Sequence, residues 1–115
     1  MDKHEASLII GQNAVVSPYY SDQSFVGRLH EEKIWDHSLF RQLSEAINIH
    51  AGKEVGQEIR EMAFDIYSYV VGTSLLGHTD PNDCFRISNV GNDQLYELRS
   101  DVELVFHRLL GSRKH

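Results

Sequence analysis

The segment "NDQLYELRSDVELVFHRLL" places Leu95, Leu98, Val102, Val105 and Leu109 at spacings of 3, 4, 3 and 4 residues. This spacing constrains the fold more than any other feature, because it puts all five side chains on one face of an α-helix. A strand would scatter them over both faces of a sheet. The charges agree with a helix: Asp93 and Glu97 stand near its start, while Arg108, Arg113 and Lys114 crowd its end, as the helix dipole prefers. A helix with one apolar stripe is stable in water only when other elements cover that stripe.

Those elements also read as helices. In "DHSLFRQLSEAINIHAG", Leu39, Phe40, Leu43, Ala46, Ile47 and His50 recur at helical spacing, with Asp36 as N-cap and Gly52 as the stop. A third helix is expected from Lys53 or Glu54 to about Val71, ended by Gly72. Ser24 is placed to cap a short helix over "FVGRLHEEK". The first 24 residues, with "SLII" and "AVV" split by "GQN", are expected to be irregular. "GTSLLGHTDPND" reads as a connection, in which "SLL" has room for one helical turn. "CFRISNV" alternates weakly but has no second strand to pair with, so a helix is expected there by default. The expected architecture is an all-α, compact single domain spanning residues 1–115, with four or five helices and an irregular N-terminal segment.

Composition supports one folded unit and limits its partners. Hydrophobic residues make up 41% of the 115 and charged residues 24%, the ordinary balance of a globular domain. Seventeen acids against eleven Lys and Arg give a formal charge of -6, which argues against direct binding of nucleic acid and favours a basic partner. The one cysteine, Cys84, excludes an internal disulfide and makes the cytoplasm the expected compartment. The start, "MDKHEASLII", carries no basic region followed by a long apolar run, so neither a signal peptide nor a membrane span is expected.

Seven histidines invite a search for metal ligands, and most fail on spacing. There is no HExxH, CxxC, P-loop, GxGxxG or GxSxG. The one candidate cluster is "HTDPNDC", in which His78, Asp80, Asp83 and Cys84 have the chemistry to hold a metal. The same residues suit a polar turn with Asp80 or Asp83 as a cap. A small metal-dependent enzyme built on that loop is the alternative functional reading; the preferred one involves no catalysis and no cofactor.

The most ordered polar feature lies in "EVGQEIREMAFD". At about 100° per residue, Glu54, Glu58, Glu61 and Asp65 fall within an arc of roughly 60°, while Val55, Ile59, Met62, Ala63, Ile66 and Tyr67 form a separate core face. A solvated helix face is the plain explanation. Against it, four acids in one line repel one another, and Phe64 projects onto their flank, away from the core stripe. An aromatic ring beside acids has the anatomy of a protein-interface hot spot. On the last helix Asp93, Glu97 and Leu104 share a face bordered by Asp101. Side by side, the two helices would form a negative patch bearing Phe64 and Leu104. The expected partner-binding residues are therefore Glu54, Glu58, Glu61, Phe64, Asp65, Asp93, Glu97, Asp101 and Leu104.

The runs "FVGRLHEEKIWDHSLFRQLSEAI" and "FRISNVGNDQLYELRSDVELVFHRLL" resemble small immunity proteins of bacterial contact-dependent growth inhibition and related polymorphic toxin systems. The likeness covers about half the chain and rests on a "WD" step into an amphipathic helix and on the terminal "LYELRSDVELVF" helix. It implies a cytoplasmic, stoichiometric inhibitor that binds a cognate toxin domain, typically a nuclease. A helical regulator that binds a protein unrelated to toxins is a further alternative.

Overall fold

The structure, a computed structural model, describes residues 1–52, 54–80, 82 and 85–110. Helices α1 (Lys3–Asn13), α2 (Phe25–Glu32), α3 (His37–His50) and α4 (Gln57–Tyr67) come first. A π-helical run over Ser68–Leu75 and α5 (Leu76–Thr79) follow, and after a loop come a 3₁₀ turn (Asn92–Gln94) and α6 (Leu95–Leu110). The fold is all-α, with no strand among the described residues.

The N-terminal segment departs from expectation. Its first half is α1, fixed by a capping box in which Glu5 N–H donates to Asp2 Oδ1 at 2.8 Å and Asp2 N–H donates to Glu5 Oε1 at 3.2 Å. Ala6 and Ile10 are fully buried one turn apart, but Leu8 beside them is exposed, which blurs the stripe in the sequence. Only the connection after Asn13 is irregular. Asn13, itself buried, organises it: Val26 N–H donates to its Oδ1 at 2.8 Å, and its Nδ2 donates to the Ile9 carbonyl at 2.9 Å.

Ser24 caps α2 by accepting from Gly27 N–H at 3.0 Å, and Lys33 ends it in the left-handed region at φ 58°. Asp36 caps α3 by accepting from Leu39 N–H at 3.0 Å. Between the two helices Trp35 is buried against Phe25 and Phe40, with ring centroids 5.0 and 5.4 Å away. Helix α1 packs chiefly on α3, while α3 and α4 each pack on α6.

Three further expectations need correction. Helix α4 begins at Gln57, with Gly56 as its N-cap, so Glu54 lies ahead of it; Lys53 falls outside the described residues. The helical rod does not break at Gly72 but continues to Thr79. In the π-helical run, bonding i to i+5 widens each turn, so Val70, Val71 and Leu75 keep facing the core while Gly72 stays on the exposed side. Finally, of the helix expected over "CFRISNV", Cys84 lies outside the described residues and 85–90 form a loop. Its polar groups are spent on distant partners: Ser88 N–H donates to the Lys33 carbonyl at 2.7 Å, and Asn89 bonds both Trp35 backbone groups at 2.8 and 2.9 Å.

Helix α6 keeps its expected stripe. Leu98, Val102 and Leu109 are buried and Leu95 and Val105 partly so, with Phe106 added to the core. Burying each large apolar side chain contributes about 1.5–3 kcal/mol.

Candidate docking groove

Helices α4 and α6 run antiparallel: Arg60 Nη1 near the start of α4 donates to the Leu109 carbonyl at 3.2 Å, and Tyr67 at its end reaches Glu103. Between them lies an open groove of about 970 Å³. Its floor is apolar and aromatic, with Tyr67 and Phe106 packed at a centroid distance of 5.7 Å and Leu110 closing one end. Phe64 and Leu104 stand on its two walls, 62% and 63% exposed.

The rims carry charge. On the α4 side Glu61 accepts from Gln57 Nε2 at 3.0 Å. On the α6 side Glu103 Oε2 accepts from Arg99 Nε at 3.1 Å and from the Tyr67 hydroxyl at 3.5 Å. Burial first, then the Glu103 charge, pushes the Tyr67 phenol up, so it remains a proton donor at neutral pH. Arg60 and His107 also line the groove, and the Arg60 bond to the Leu109 carbonyl helps close the C-terminal turn of α6.

Of the nine expected partner-binding residues, three line this groove: Glu61, Phe64 and Leu104. Glu58, Glu97 and Asp101 are exposed on the same two helices but outside its lining, and Asp93 sits in the 3₁₀ turn before α6. Glu54 lies in the connection ahead of α4, which shortens the acidic line to three residues. Asp65 is partly buried, and its Oδ2 accepts from Val15 N–H at 3.0 Å, tying the α1–α2 connection to α4. Sequence reasoning missed Tyr67 and Glu103 as parts of the groove. Tyr96, 84% exposed, lies outside the groove lining, although it shares a face of α6 with Ser100, Glu103 and His107 at spacings of 4, 3 and 4. The i,i+4 spacing of Arg99 and Glu103 was the available signal for the rim.

The alternative loop site is only partly described, since Asp83 and Cys84 lie outside the described residues. Its described members do structural work. His78 Nδ1 accepts from Ile87 N–H at 2.8 Å, and Asp80 accepts from Asn82 N–H at 2.9 Å through Oδ1 and from Arg86 Nη2 at 3.1 Å through its carbonyl. Among the described residues, no three His, Cys, Asp or Glu side chains come together as a metal site. No helix among them is long and apolar enough to cross a membrane.

No protein-family model, curated protein or solved structure matches the chain.

Proposed function

We propose that this chain is an immunity-type protein that binds and neutralises a basic toxin domain, in the cytoplasm and without catalysis of its own. The observation that carries the reading is the pairing of Phe64 and Leu104 on the walls of one groove. Two large apolar side chains left mostly in water beside carboxylates gain free energy when a partner covers them, and truncation of such anchors dominates binding losses. The charge supports the same reading. Helices α4 and α6 carry six acids and three arginines, and Arg99 is already paired with Glu103. A nuclease toxin must hold phosphates with basic groups, so an acidic face steers the two proteins together and competes for the same groups.

The test is to co-express the chain with the reading frame beside it in the genome. Rescue of growth from the toxicity of that frame supports the proposal. Unrelieved toxicity, or a harmless neighbour and a partner encoded elsewhere, favours the general protein-binding regulator.

A further inference from the structure

We infer that the α4–α6 groove receives one amphipathic helix of the partner, about two turns of it, with basic residues along its flanks. This rests on the binding role proposed above and adds the form of the bound segment. Size permits a helix. Seven helical residues rise about 10 Å within a cylinder about 10 Å across, roughly 800 Å³. The groove, open to solvent and about 970 Å³, has room for such a segment.

Hydrogen bonding also favours a helix. Both walls are helices, whose backbone groups are satisfied internally except at their ends. An extended segment laid in the groove would find no strand edge to pair with and would leave the backbone groups it turns to the apolar floor without partners. A helix arrives with those bonds already made.

Charge selects the flanks of that helix. The floor formed by Tyr67, Phe106 and Leu110 takes apolar residues at three- and four-residue spacing, between Phe64 and Leu104. Glu61 and Glu103 flank that floor from opposite helices; Glu103 Oε2 is paired with Arg99 and the lining Arg60 is turned to the Leu109 carbonyl, while the Oε1 atom of each glutamate takes no partner among the described residues. Lys or Arg on either side of the apolar stripe reaches them, and charge-assisted bonds of this kind are the stronger ones. A second copy of this chain, at net charge -6, would bring acids against acids.

The experiment places a photoreactive aromatic residue at position 64, 104 or 58 in turn. Each protein is combined with a catalytically disabled product of the neighbouring reading frame, and cross-linked peptides are identified by mass spectrometry. The expected result is that positions 64 and 104 attach to one helical stretch of the partner with Lys or Arg at three- and four-residue spacing. Position 58, outside the groove, should give at least tenfold less product. Attachment of 64 and 104 to separate loops, to a segment without basic residues, or to a second copy of this chain overturns the inference. If the complex nevertheless forms, the immunity reading survives. If no complex forms, both fall.

Discussion

Phe64 on α4 and Leu104 on α6 stand on opposite walls of one groove, both more than three-fifths exposed, above a floor that includes the buried Phe106. The core lies beneath this pair and does not depend on it, so removing either side chain separates binding from folding. Phe64→Ala should change unfolding free energy by no more than about 0.5 kcal/mol. Its complex with the toxin domain should dissociate at least tenfold faster, as measured by surface plasmon resonance.

The rim acids should act on association. Glu61→Arg combined with Glu103→Arg is expected to slow association at low ionic strength by about tenfold or more, and the difference from wild type should shrink as salt is added. Stopped-flow association rates at several salt concentrations check this. A salt-independent loss would remove steering as the explanation.

Asp65 belongs with the fold, although it shares the sequence line with Glu58 and Glu61. Its carboxylate holds Val15 N–H, so Asp65→Ala should lower stability by about 1 kcal/mol in urea unfolding. The dissociation rate of the toxin complex should stay within twofold of wild type.

His50 supplies a pH dependence of known sign. Burial, with the Lys3 charge in support, lowers its folded pKa below the ordinary 6.5, while a backbone hydrogen bond at Lys3 acts in the opposite direction. The unfolded chain therefore takes up the proton first as pH falls. Stability conferred by a neutral His50 is present above about 6.5 and declines below it, until the folded form also protonates. Urea unfolding at pH 7.5 and 5.5 should show a smaller drop for His50→Gln than for wild type. The neutral ring, with Nε2 3.0 Å from Ser7 Oγ, links α3 to α1.

Gly27 is packed directly against backbone. A Cβ there would sit 2.3 Å from the Ser21 carbonyl oxygen and 2.4 Å from Asp22 Cα, both backbone atoms. Gly27→Ala should cost about 3 kcal/mol or more, read as a lower urea midpoint.

Several of these features were visible in the sequence and others were not, for physical reasons. Helices α3 and α6 were legible because Asp36 and regular apolar spacing point the same way. Helix α1 was not, because Leu8 is exposed and Ile9 only partly buried, so its apolar residues draw no single stripe. Gly72 signals a stop locally, and tertiary packing of Val70, Val71 and Leu75 overrides it. At the candidate site, the flank position of Phe64 could be read from helical projection alone. The tie from Asp65 to Val15 and the placement of Glu103 beside Tyr67 depend on contacts between distant elements. No local pattern encodes them.

The central claim is tested most directly by growth rescue with the double variant Phe64→Ala, Leu104→Ala, co-expressed with the neighbouring toxin frame. A folded variant, verified by an unchanged thermal midpoint, should fail to protect cells that the wild-type chain protects. Full protection by that variant would contradict the assignment of toxin binding to the α4–α6 groove.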